Sequence, residues 1–243
     1  MKVSPIAAMV LLAAFSALSC ANVDPVRRFP GMVADMDPIP TGAVYVVFDR
    51  AFGGGINQVS VDTVFHPRLN AVSLEFRHEF VTYRQFWDEP ARRHFLTALE
   101  RYNADFEERN LVNRQRQTRN VYGRVSGRLE WQTARFTAVH VSYPVIEIGY
   151  RFRETGQGSR PFFTTLMRSA RSEEAHGSGL GQTESRQIRM SFTRAQAADL
   201  AGIFDQAFLM GLVRMHDAQE PPAATPLWDD FDEFYEFYDG RDT

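Results

Sequence analysis

The stretch NAVSLEFRHEF (residues 70–80) limits the fold more than any other part of the sequence. Val72, Leu74, Phe76, His78 and Phe80 fall on one side of an extended chain, and Ser73, Glu75, Arg77 and Glu79 fall on the other. Apolar and polar residues alternating with period two make a strand with one wet face, the signature of an antiparallel sheet. Similar segments recur at AVYVVF (43–48), NQVSVDTVF (57–65) and VYGRVSGRLEW (121–131). Three more are FTAVHVSYPVIEIGYRF (136–152, interrupted at Pro144), PFFTTLMR (161–168) and RQIRMSF (186–192). FGGGIN, after the first of them, reads as a hairpin turn, and 154–159 and 172–185 read as mobile loops.

Two helices interrupt this pattern. Asp88 is placed to cap the first, with Pro90 in its opening turn and Phe95, Leu99, Tyr102 and Phe106 at helical spacing. Thr193 and Gln196 form a T-x-x-Q capping box for the second, which turns Ala197, Leu200, Phe204, Ala207 and Phe208 inward. The expected class is α+β, an antiparallel sheet or sheets with two main amphipathic helices packed on one face. The folded body is expected over residues 43–216.

Upstream, Lys2 precedes an apolar run from Ile6 to Leu18, followed by small residues. That is the layout of a signal peptide, and the run is too short to span a bilayer, which needs about 20 residues. The stretch ending Ala17-Leu18-Ser19-Cys20 resembles bacterial lipoprotein precursors, with the box leucine one place late. The resemblance covers the leader alone and implies lipidation at Cys20, the only cysteine among 243 residues. The competing reading is ordinary cleavage after Ala21. Either way the chain divides into a signal peptide (1–20), a proline-containing tether (21–42), the body, a linker (217–227) and a tail (228–243). Lipidation would place the protein at a bacterial membrane facing the periplasm, or at the outer membrane.

The residues name no reaction. A net charge of −3 offers no basic field for nucleic acid. No HExxH, GxSxG or SxxK motif is present, and with a single cysteine the usual structural zinc sites are excluded, so no metal, cofactor or catalytic residue is assigned. GSGLG (177–181) lacks the strand-before, helix-after context of a phosphate loop. His78 and His140 lie in strands, and a meeting of the two near Glu147 would make an acid/base pair. Arginines are dense between Arg109 and Arg135. Arg124 and Arg128, with Tyr122, make a candidate face for an anionic ligand or an acidic protein patch.

The tail carries seven acids and one arginine, a charge of −6, so in a chain of −3 the remaining residues hold +3. Trp228, Phe231, Phe234 or Tyr235, and Tyr238 recur at helical spacing among those acids. Such a segment either caps its own body, docks on another envelope protein or stays disordered. Three functions follow as expectations: a lipid-anchored binding or assembly module, an exported enzyme using a His/carboxylate pair, or an outer-membrane barrel.

Overall fold

The computed structural model describes residues 32–49, 56–113, 120–134, 136–156, 158–177 and 181–218. Four strands come first: β1 (Ile39–Asp49), β2 (Ile56–His66), β3 (Ala71–His78) and β4 (Val81–Asp88). Helix α1 (Glu89–Glu107) follows, and then β5 (Val121–Ser126), β6 (Arg128–Thr133), β7 (Val139–Ser142) and β8 (Val145–Thr155). The chain ends in β9 (Gly158–Met167), β10 (Glu174–His176), β11 (Ile188–Phe192), α2 (Arg194–Phe204) and α3 (Gln206–Asp217). The class is α+β. No helix among the described residues is long and apolar enough to cross a membrane.

All strands join one antiparallel sheet in the order β10-β7-β6-β4-β3-β2-β1-β11-β9-β8-β5. Chain continuity then closes it. β5 runs into β6 through Gly127, and β7 into β8 through Tyr143 and Pro144. The two composite strands pair along their length, Ser126 opposite Val145 and Leu129 opposite Ser142, with Gly127 donating its N–H to the Pro144 carbonyl at 3.1 Å. One is bonded to β4 on its far side and the other to β9, so the wall comes full circle as an eight-stranded meander. Gly127 sits at the corner because a Cβ there would stand 2.7 Å from Ile146 Cδ1 and 3.1 Å from the Phe86 carbonyl oxygen.

One face of the wall carries Val46, Phe48, Val61, Phe65, Leu74, Phe76, Tyr83, Leu129, Trp131, Ile146, Ile148, Phe163, Met190 and Phe192, all in one buried cluster. The opposite face presents Asp62, Glu75, Arg77, Arg84, Arg124, Glu130 and Glu147. At one end the helices close the interior. Phe95 packs edge-on against Phe163 and Phe204 at 5.2 and 5.0 Å, and Trp87 lies against both Phe95 and Phe204. Each such aromatic, fully buried, contributes about 1.5–3 kcal/mol. At the other end the segment after β9 folds over, with the Trp131 indole N–H donating to the Gln182 carbonyl at 2.6 Å.

Several expectations change in detail. β1 begins at Ile39, ahead of Ala43, and Val33, Ala34 and Met36 pack on the core, so the fold takes in part of the expected tether. β4 was not expected at all. VYGRVSGRLEW is two strands, since Gly127 turns the chain from one wall to the next. The last helix is two helices, because Asp205 takes an extended ψ of 127° and caps α3 by accepting the Phe208 N–H at 2.8 Å. That break resets the register, so Leu209 and Val213 are buried while Phe208 is 40% exposed. Of the expected loop 172–185, residues 172–177 and 181–185 are pinned rather than loose: β10 pairs with β7, and Ser172 and Thr183 are joined through their backbones at 2.8 Å. β1 and β2 pair on either side of FGGGIN, whose first four residues lie outside the described residues, as do residues 178–180 of GSGLG.

Candidate functional site

An open, mainly apolar concavity lies at the helix-closed end. It is a groove of about 530 Å³ lined by Phe106, Thr155, Gly156, Arg160, Pro161, Phe162, Thr193 and Arg194. Its walls come from three places in sequence: the last turn of α1, the β8–β9 hairpin and the cap of α2. Each wall has a local cause. Asp88 accepts the Ala91 N–H at 2.9 Å and starts α1 in the register that carries Phe106 out to the rim. The Tyr102 hydroxyl donates to the Pro161 carbonyl at 3.1 Å, which ties α1 to the base of the hairpin. The Thr193 cap accepts the Gln196 N–H at 3.3 Å, while the Gln196 side chain accepts the Thr193 N–H at 2.9 Å. That reciprocal pair fixes Arg194 at the first helical position.

Arg194 is the polar centre of the rim. Its guanidinium lies over the Phe106 ring at 4.5 Å, with Nη2 2.6 Å from Glu107 Oε1. Stacking holds the guanidinium flat; Nε also donates to Asn103 Oδ1 at 3.4 Å, so it is the Nη1 side that can take a further oxygen acceptor. Phe106 is 37% exposed and Phe162 only 9%, so the floor is apolar but not sealed. Arg160 stands exposed on the opposite wall. An apolar floor between arginines suits a ligand with an aromatic or aliphatic body and an acidic group. Among the described residues no cluster of His, Cys, Asp and Glu is placed to hold a metal ion.

The residues singled out in the sequence are distributed differently. Arg124 and Arg128 both point outward, and each meets a carboxylate. Arg124 lies 3.3 Å from Glu147, which also receives Arg168 at 3.3 Å, and Arg128 lies 2.5 Å from Glu130. Arg128 also covers the Phe86 ring at 5.3 Å. The third member of the expected face, Tyr122, is elsewhere. A bulge between Val121 and Gly123 turns it toward α1, where its hydroxyl donates to Asp105 at 2.7 Å. Burial and the Asp105 carboxylate push the Tyr122 hydroxyl well above its ordinary pKa. Arg114, Arg116, Arg119 and Arg135 lie outside the described residues, as do Cys20 and the tail residues Trp228, Phe231, Phe234, Tyr235 and Tyr238.

His78 and His140 do not form a dyad with Glu147. His140 is 3% exposed, stacks on Trp131 at 5.4 Å and bonds Ser172 at 3.1 Å through Nδ1. Glu147 belongs to the outer face with its two arginines. His78 stacks on Phe48 at 5.2 Å, and burial lowers its pKa. A histidine the sequence reading passed over has the more unusual setting. His66 Nε2 lies 2.8 Å from Ser73 Oγ, and Ser73 Oγ lies 3.1 Å from Glu75 Oε1. A carboxylate only accepts, so Ser73 donates to Glu75 and His66 donates to Ser73. The serine proton therefore points away from the imidazole, and Ser73 is 0% exposed. This arrangement orients the ring and does not activate a nucleophile. Burial first, then the nearby Arg84 charge, lowers the His66 pKa to about 4.

A protein family described as "Uncharacterised Treponema protein" matches residues 41–211. The chain belongs to that family. The matched span opens inside β1 and ends inside α3, so it takes in all of the strand wall but its first two residues, with α1, α2 and every groove residue. Residues 1–40 and 212–243, the acidic tail among them, fall outside it. No curated protein and no solved structure matches the chain. For this family member, the groove was legible only in fragments. The capping box was plain, but Arg160 and Phe162 become neighbours of Phe106 only through the closure of the wall. Phe106 itself reads as core by spacing, because the helix pattern carries no mark of where its packed surface stops.

Proposed function

We propose that this protein is an exported, lipid-anchored and non-catalytic binding or assembly module of the bacterial envelope. It takes an amphipathic, acidic ligand or partner segment in the groove at its helix end. The observation that carries the reading is that groove: an apolar floor of Phe106, Pro161 and Phe162 between Arg160 and Arg194. The chemical groups that would argue for catalysis are dispersed instead. His140 faces the interior and Glu147 the exterior, and Ser73 is buried with its proton held by Glu75. The wall also has the wrong polarity for an outer-membrane barrel, which carries its apolar side chains outward toward lipid.

Two measurements test the two halves of the proposal. The lipid anchor predicts that mass spectrometry of the mature N-terminus finds an acylated Cys20, and that Cys20→Ser releases the protein from the membrane fraction. A chain starting at Asn22 without acyl mass overturns the anchor. For the groove, the probe is 1-anilinonaphthalene-8-sulfonate, an aromatic body with one anionic group. It should bind at a single site, and Phe106→Ala with Arg194→Gln should weaken it at least tenfold. Binding that is absent even when residues 228–243 are deleted overturns the ligand class.

A further inference from the structure

We infer that the groove's resident occupant is this chain's own tail, residues 228–243, docked in cis through its aromatic side. The inference rests on the groove being a binding site of the class proposed above, and it names what fills that site. Three observations support it.

The first is chemical fit. The floor offers Phe106, Pro161 and Phe162, and the rim offers Arg160 and Arg194. The tail WDDFDEFYEFYD supplies an aromatic residue at each turn of helical spacing, with carboxylates between. The acids that would oppose docking on the same walls are Glu107, already paired with Arg194, and Glu154 at the hairpin. A volume of about 530 Å³ suits a few aromatic rings and is small for a folded partner.

The second is charge. The tail holds −6 while the rest of the chain holds +3, so association in cis neutralises charge that either part alone would expose. The third is reach. From Ala218 to Trp228 the linker has ten peptide steps, which extend up to about 35 Å. Helices α2 and α3, of 11 and 12 residues, measure about 35 Å even when laid end to end. The tail can therefore return to Arg194 whatever direction α3 takes.

The experiment uses the full chain and its three tryptophans. Trp87 and Trp131 are 0% and 1% exposed, so Trp228 alone reports on the tail. Acrylamide, an uncharged quencher, is titrated against Trp228 emission, obtained by subtracting a Trp228→Phe control. Docking predicts a quenching constant at least threefold below that of the free 228–243 peptide. The constant should rise toward the peptide value in Arg160→Gln/Arg194→Gln and in 1 M salt. Phe231→Ala/Phe234→Ala, which leaves the described fold untouched, should release Trp228 in the same way and tighten binding of the naphthalene sulfonate probe. A Trp228 as quenchable as the free peptide overturns the inference, and so does protection that the two double variants leave intact. Protection that disappears on dilution assigns the docking to a second copy and also overturns it. If the probe binds the native chain tightly while the tail variants change nothing, the tail proposal fails and the groove stands.

Discussion

At the scale of single residues, the structure depends on a few polar groups whose settings the sequence does not advertise. Arg92 is 1% exposed on α1 and has no carboxylate partner among its hydrogen bonds. Its guanidinium donates to the Asn70 and Trp87 carbonyls at 2.7 and 3.1 Å and to the side chains of Asn70 and Gln206 at 3.1 and 2.5 Å. Burial lowers its pKa to about 10 against the opposing pull of the nearby Glu89 and Asp88 charges, so it stays charged at neutral pH. Arg92→Ala strands those acceptors and should cost roughly 3–5 kcal/mol by urea denaturation. His66 gives a pH prediction. Its ring is charged below about 6.5 in the unfolded chain but stays neutral in the fold down to about 4. Stability present above pH 6.5 is therefore lost as pH falls through that window, by about 2 kcal/mol once partial exposure is allowed for. His66→Asn should flatten that part of the Tm-against-pH curve, and an NMR titration should show the native ring unprotonated at pH 5. Gly149 has a backbone reason for its identity, since a Cβ there would run into the Asn120 carbonyl. Gly149→Ala should lower stability by about 2–3 kcal/mol in the same urea assay.

At the scale of elements, what was readable depended on how cleanly each strand separates its two faces. β3 separates them well and was plain in the sequence. β4 does not, and was missed: its inward row of Val81, Tyr83, Gln85 and Trp87 includes a buried amide, and Phe86 is apolar on the outward side. Phe86 is tolerated there because Arg128 covers it and the His66 ring lies 5.1 Å away, contacts made by residues far off in sequence. The helix caps were legible because capping is local. The break at Asp205 was not, since Leu200, Phe204, Ala207 and Phe208 fit one continuous helix by spacing alone. Asp205→Ala removes the α3 cap and should cost about 1 kcal/mol. The loss should appear as faster amide exchange in 206–209 than in α2. The expected arginine face lost Tyr122 to a bulge, and a one-residue slip in pairing leaves no trace in composition.

At the scale of the whole molecule, closure couples parts that the sequence presents separately. The chain runs through strands into α1 and then through strands into α2 and α3, yet β4 is bonded to β6 and β1 to β11, so each run of strands completes the other's wall. One buried cluster runs through both. Trp87 lies beneath the helices and Trp131 beneath the 181–183 segment, and both should report the same unfolding midpoint in a Trp228→Phe background. Two separated transitions, probed through Trp87→Phe and Trp131→Phe, would show that the halves unfold independently. The meander also gives the molecule two unlike poles. β1 starts, α1 starts and α2 starts at the same pole, and the groove opens there too. The described chain therefore enters on the groove side, where Val33 bonds Pro67, and the opposite pole is built by residues 168–177 and 181–187. That far pole is where a label or fusion is inserted without crowding the groove.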